Sequence, residues 1–174
     1  MIILGLDPGT ATTGYGVIRV KELKGERVKK KKPSIASSLH HSLTLIGYGE
    51  INTKANSYMP ERLYKIYKEI RKVLTQYKPD KVALESLFFF KNQKTVMSVS
   101  QARGVIMMAC ESKKVPLLEY PPLRVKSIIC QNGRADKKEM QDKIRKILKL
   151  KIIPKPDDAA DALAVAICCS KNLE

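Results

Sequence analysis

Nitrogen and sulfur ligands for metals are scarce in this chain of 174 residues, which has two histidines and four cysteines. His40 and His41 are neighbours in a polar stretch with no other ligand type beside them, so they read as part of a solvated loop. Cys110, Cys130, Cys168 and Cys169 show no Cys-x-x-Cys spacing, and the adjacent pair on an expected helix is badly placed for a disulfide. All four are expected to be reduced and mostly in the core, where free cysteine is common. Apolar runs fall far short of the roughly 18 residues of a spanning helix. The opening stretch, Met1 to Asp7, has neither the positive region nor the longer apolar region of a secretory signal. These absences predict a cytoplasmic protein that does not engage a membrane. Acid is also outnumbered, with 17 Asp plus Glu against 33 Lys plus Arg and a formal charge of +16. Such a balance favours a polyanionic partner through attraction and counterion release, nucleic acid before all others.

The chain has the length of one domain, and its pattern has three stages. Residues 2–6 form a continuous apolar run ending in Asp7-Pro8-Gly9-Thr10, a buried strand that enters a turn. Gly14 to Val20 and Ile46 to Asn52 follow as second and third strands of a meander. Between them, residues 21–45 read as a mobile basic insertion. Residues 21–34 hold seven Lys or Arg and two Glu, a contribution of +5 that leaves +11 on the rest of the chain. A solvated hairpin tip and an added DNA-binding arm are both compatible with that composition.

Beyond Pro60 the apolar spacing becomes helical through Leu63, Ile66, Ile70, Val73 and Leu74, until Pro79-Asp80. Val82-Ala83-Leu84-Glu85 is a short strand, 94–113 a helix, Val115–Glu119 a last strand, and three helices near 121–131, 136–150 and 156–171 close the chain. Strands first grouped and then alternating with helices imply an α/β fold with a mixed sheet flanked by helices.

Acid placement carries the chemistry. Two apolar runs end in a carboxylate, Asp7 and Glu85, and an acid so placed costs several kcal/mol unless it is paired or bound to a cation. Asp158 and Asp161 are three apart in a run of alanines, on one face of a helix that Pro156 would start. Asp157 reads instead as an N-cap. Oxygen ligands without His or Cys point to a hard cation, Mg2+ or Mn2+, and four carboxylates suffice for the two-ion arrangement of phosphodiester cleavage.

Ordered motifs narrow this further. Ile3-Leu4-Gly5-Leu6-Asp7-Pro8-Gly9-Thr10 through Gly16, Glu85-Ser86-Leu87-Phe88 through Asn92, and Gln101-Ala102-Arg103-Gly104 stand in the first part of the chain. Tyr120-Pro121-Pro122 to Lys126, Gly133-Arg134-Ala135-Asp136-Lys137, and Asp158-Ala159-Ala160-Asp161-Ala162-Leu163-Ala164 follow. In this order the chain resembles the RuvC Holliday-junction resolvases over nearly its whole length outside the insertion.

The resemblance implies an RNase H-like fold whose five-stranded mixed sheet has three antiparallel strands followed by two parallel ones. It implies a homodimer that makes paired symmetric nicks in four-way DNA junctions during recombination and repair, and cooperation with the RuvA and RuvB branch-migration proteins. By motif position, Asp7, Glu85, Asp158 and Asp161 match the family's metal-binding catalytic acids, and Lys126 and Lys137 match basic residues that serve its active site. Two Mg2+ ions per site are implied, with Mn2+ as substitute.

Phe88, Lys91, Arg103 and Arg134 fall in motifs expected to meet DNA, Phe88 by stacking on unpaired bases. Phe88 to Phe90 also suit a core or a dimer contact, and Arg103 beside Gly104 suits close packing. Two alternatives remain: a junction-binding scaffold without catalysis, and an RNase H-like nuclease of the YqgF type.

Overall fold

A computed structural model describes residues 1–22, 41–87 and 95–172. Five strands, β1 (Ile2–Asp7), β2 (Thr12–Glu22), β3 (His41–Asn52), β4 (Lys81–Glu85) and β5 (Leu117–Tyr120), form one sheet in the order β3-β2-β1-β4-β5. The first three are antiparallel neighbours, whereas β1–β4 and β4–β5 are parallel. This is the mixed sheet expected from the sequence.

The helices are α1 (Met59–Tyr77), α2 (Val96–Ser112), α3 (Pro122–Cys130), α4 (Lys137–Ile147) and α5 (Asp157–Ser170). Alternation along the strands sends Leu4, Leu6, Val82 and Leu84 to a core shared with α1 and α2. Ile3 and Ala83 go to a second core shared with α3, α4 and α5. Asp7 and Glu85 have the parity of Ile3 and Ala83, so both acids project from the α5 side.

Several boundaries differ from those read in the sequence. Lys21 and Glu22 prolong β2 and residues 41–45 open β3, because the two strands go on pairing as far as Glu22↔His41. His41 is therefore in a strand, while residues 23–40 of the expected insertion lie outside the described residues. Cross-strand pairing outweighed the polar composition that suggested a loop. The last strand starts at Leu117 rather than Val115: the Val115 N–H closes α2 by donating to the Cys110 carbonyl, and the ladder begins where Pro116 accepts from Val82. All four cysteines are free and buried, as anticipated. No helix among the described residues is long and apolar enough to cross a membrane.

Candidate active site

Three elements deliver the acids. Asp7 ends β1, Glu85 ends the parallel neighbour β4, and Asp158 and Asp161 occupy the first turns of α5. Parallel pairing of β1 with β4, whose last register is Leu6↔Leu84, puts Asp7 and Glu85 side by side. What brings α5 to them is that the strand residues at its closest contacts are glycines. A Cβ added at Gly14 would lie 2.0 Å from the Asp158 carbonyl oxygen, and one at Gly5 would lie 2.0 Å from that of Ala162. Neither position admits any residue larger than glycine at this helix–sheet distance. The alanines of α5 were legible as a close-packing face; these glycines were missed, although glycine inside a strand is itself a sign of close backbone approach.

The result is a tight carboxylate cluster. Oxygen atoms of Asp7, Asp158 and Asp161 lie within 4.8 Å of one another. Burial, reinforced by the charges of Glu85, Asp161 and Asp158, raises the Asp7 carboxyl to about 8. In its protonated form Asp7 donates a hydrogen bond to Glu85. Burial also raises Glu85, against the opposing influence of that bond and of Arg103 and Lys126. Asp161 and Asp158 are raised by burial too, and Lys137 counters the shift in each. Glu50, the register partner of Gly14 on β3, adds a further negative charge beside Asp158, and the sequence reading did not single it out.

Crowded carboxyls raise one another's pKa, and a cation among them would relieve that repulsion. An all-oxygen donor set of this kind fits a hard divalent cation. Asp7, Asp158 and Asp161 supply the close triad, with Glu85 joined to it through Asp7.

Cationic side chains surround the cluster. Lys137 Nζ lies 3.1 Å from Asp157 Oδ2 and 3.7 Å from Asp161 Oδ2. Burial works against its charge, yet the bond to Asp157 and the charges of Asp161 and Asp158 outweigh that and hold its pKa above the ordinary value. Lys126 Nζ donates to the Ala135 carbonyl at 2.7 Å, which fixes the ammonium near Glu85.

Two clefts of about 220 and 450 Å³ share Glu85, Pro122 and Lys126. The smaller also reaches Lys137 and Asp161, and the larger reaches Asp7 and the exposed Arg134. Bases thus line the approach to the acids, an arrangement suited to admitting a phosphodiester.

Two expectations need correction. Asp157 is not the N-cap of α5: Pro156 takes that position, and the Asp157 carboxylate accepts from Lys137 and from Gln141 at 3.0 Å, tying α5 to α4. Those two bonds hold its pKa below the usual range. Arg103, expected among the DNA contacts, is buried on α2, where it donates to the Glu85 backbone carbonyl and, at 2.6 Å, to Glu119 Oε2. Its guanidinium is committed inside the protein. Gly104 makes no close packing contact with the described residues, none of which lies within 4 Å of a Cβ added there. Phe88 and Lys91 lie outside the described residues.

A sequence profile of the family described as crossover junction endodeoxyribonuclease RuvC matches residues 3–169. The chain belongs to the RuvC family. It is 49% identical over 168 residues to the crossover junction endodeoxyribonuclease RuvC of Syntrophomonas wolfei, covering 97% of this chain and 87% of that one. To the corresponding protein of Finegoldia magna it is 42% identical, covering 97% and 92%. Among solved structures, Thermus thermophilus RuvC superposes with a TM-score of 0.82 at 29% identity, over 98% of this chain and 94% of the other. The T. thermophilus RuvC complex with a Holliday junction substrate superposes with a TM-score of 0.79 at 27% identity, over the same 98% and 94%. The RNase H-like fold expected for RuvC proteins is therefore the fold of this chain.

Proposed function

We propose that the acidic site is a divalent-cation-dependent endonuclease centre that resolves four-way DNA junctions by paired symmetric nicks in homologous recombination and repair. One observation carries this reading: Asp7, Glu85, Asp158 and Asp161, distant in sequence, converge where two base-lined clefts meet. Asp7, Asp158, Asp161 and Glu85 would hold Mg2+, two ions per site, with Mn2+ able to replace it. Bound there, the metal would activate a water and stabilise the leaving oxygen.

The chain's own groups do the rest. Lys126 and Lys137 draw the phosphate in, and Lys137 also holds Asp157 and Asp161 in register across α4 and α5. Arg134 extends the positive lining toward the DNA, and Phe88 and Lys91 are assigned to DNA contact on their motif positions. The junction as substrate is supported by the solved complex of the T. thermophilus relative.

Paired nicking calls for two copies of the site. Met97, Gln101, Gly104 and Met108 form an exposed stripe along α2 at helical spacing, and the open space beside Gly104 would let a second helix approach closely. This supports a homodimer. Cooperation with RuvA and RuvB, and a cytoplasmic location, follow from the family resemblance.

The decisive experiment compares the protein with Asp7→Asn on a synthetic four-way junction in Mg2+. The variant is expected to bind the junction as tightly as the parent and to cut it on the order of 1,000-fold more slowly, the scale of losing a transition-state charge stabiliser. Equal cutting by both would remove Asp7 from the site.

A further inference from the structure

Arg103 is only 8% exposed, the most fully enclosed arginine or lysine among the described residues. A buried guanidinium needs well-placed acceptors, and aliphatic side chains would fill the same volume at less desolvation cost if packing were all that was required. Its neighbours on α2, Ala102, Ile106 and Ala109, do serve an apolar core.

Arg103 spends its fork on two strands at once. One nitrogen donates to the backbone carbonyl of Glu85, and the other lies 2.6 Å from Glu119 Oε2 on β5. Both acceptors stand at strand ends. Pairing of β1 with β4 stops at Leu6↔Leu84, while the β4–β5 side continues as far as Ser86 donating to the Tyr120 carbonyl at 2.9 Å. The Glu85 peptide is therefore the point at which β4 leaves the ladder on the side that faces Asp7. A planar donor with two parallel N–H directions suits such a place, and an ammonium does not reproduce it. A second tie runs from the same helix to the Asp7 turn, where Thr10 Oγ1 lies 3.5 Å from Ser98 Oγ.

We propose that Arg103 is a positioning residue, which clamps the ends of β4 and β5 through the Glu85 carbonyl and the Glu119 carboxylate so that the Glu85 side chain is held in place for cation binding. It acts from the far side of the sheet and does not touch DNA. The proposal rests on the reading of Glu85 as part of the metal site, and it makes α2, the helix with the exposed methionine stripe, a mechanical support of the acids. An outer partner of this kind is the sort whose loss costs about 10- to 100-fold in metal affinity.

The test uses the full chain as wild type, Glu119→Gln, Arg103→Lys and Glu85→Gln. Three quantities are measured: the rise in thermal midpoint on adding Mg2+, affinity for a four-way junction in EDTA, and the Mg2+ concentration giving half-maximal cleavage. Glu119 is 40% exposed in its side chain, so Glu119→Gln is expected to fold and decides the matter if Arg103→Lys does not.

Both clamp variants are expected to need about tenfold more Mg2+. They are also expected to show a smaller Mg2+-induced rise in thermal midpoint and unchanged junction affinity in EDTA. Arg103→Lys is expected to be the more affected, since it alters both contacts. A folded Glu119→Gln with wild-type Mg2+ dependence overturns the clamp, and a loss of junction affinity in EDTA for Arg103→Lys overturns it in favour of direct DNA contact. Glu85→Gln separates the two levels: wild-type Mg2+ dependence there removes Glu85 from the site and the clamp with it, whereas a defect there beside a normal Glu119→Gln overturns the clamp alone.

Discussion

The two faces of the sheet are built by opposite means. Toward α1 and α2, bulky aliphatic side chains such as Ile66, Ile70, Leu74 and Ile106 pack against Leu4, Leu6, Val82 and Leu84. Toward α5, glycines of the strands meet the helix backbone directly, with Asp158 and Ala162 carbonyls against Gly14 and Gly5. A layer of side chains can take up a change in volume by adjusting rotamers. Backbone against backbone has no such freedom. The face that must hold two helix carboxylates within reach of two strand ends is the one with rigid backbone contacts, and the face filled by side chains, Arg103 apart, is the deformable one.

Gly14→Ala is the hardest test of that contrast. The added methyl meets the Asp158 carbonyl, so α5 must lift, taking Asp158 and Asp161 with it. A loss of roughly 3 kcal/mol is expected, at the upper end for overpacking. Cleavage by the folded fraction should fall about 100-fold, as for other misplacements of about 1 Å. Chemical denaturation and a single-turnover junction assay measure the two separately; a stable Gly14→Ala with full cleavage would break the comparison.

Next in size is a pH effect confined to the α5 face. Asp7, raised from 3.8 to about 8, holds its proton more tightly in the folded than in the unfolded chain, and Glu85, Asp158 and Asp161 are shifted the same way. Stability from these groups is therefore fully present below the unfolded carboxyl range and is lost as pH rises through their folded values, about 8 for Asp7, when no divalent cation is added. A cation that binds the ionised acids offsets this loss. Thermal unfolding in EDTA and in Mg2+ is expected to diverge as pH rises, with a Mg2+-induced gain at least about 3 °C larger near pH 8 than near pH 6. A gain independent of pH would sever the link between metal and protons. Asp7→Asn should flatten the divergence.

The smallest effect is expected on the other face. Ile70→Val removes one methylene from the α1 layer, with an expected cost of about 1 kcal/mol. Cleavage per folded molecule should stay at the wild-type rate; a drop in that rate would show that the two faces are coupled through side-chain packing as well as through Arg103.

The acids were legible because a carboxylate at the end of an apolar run, or amid alanines, stands out against its neighbours: Asp7, Glu85, Asp158 and Asp161 were each visible in this way. The mixed sheet flanked by helices followed from grouping and spacing, and the arrangement of its five strands from the family resemblance. The ends of β2 and β3 were not visible, since continued pairing through a Lys- and Ser-containing stretch depends on the partner strand. Asp157 and Arg103 were misplaced for a related reason. Whether a charged side chain caps a helix, reaches DNA or turns inward depends on which acceptor is nearby, and Gln141, Lys137, Glu119 and the Glu85 carbonyl come near only in the folded chain.

By itself, then, the sequence determined the inventory: which residues carry charge where burial penalises it, which period each segment follows, and the order of motifs that sets the family. Tertiary structure decided the distances. The glycine contacts of β1 and β2 with α5 bring Asp158 and Asp161 to Asp7, and burial there, reinforced by the charges of Glu85, Asp161 and Asp158, raises Asp7 to about 8. Periodicity in a sequence specifies which face a side chain occupies. How closely two faces approach depends on every atom between them.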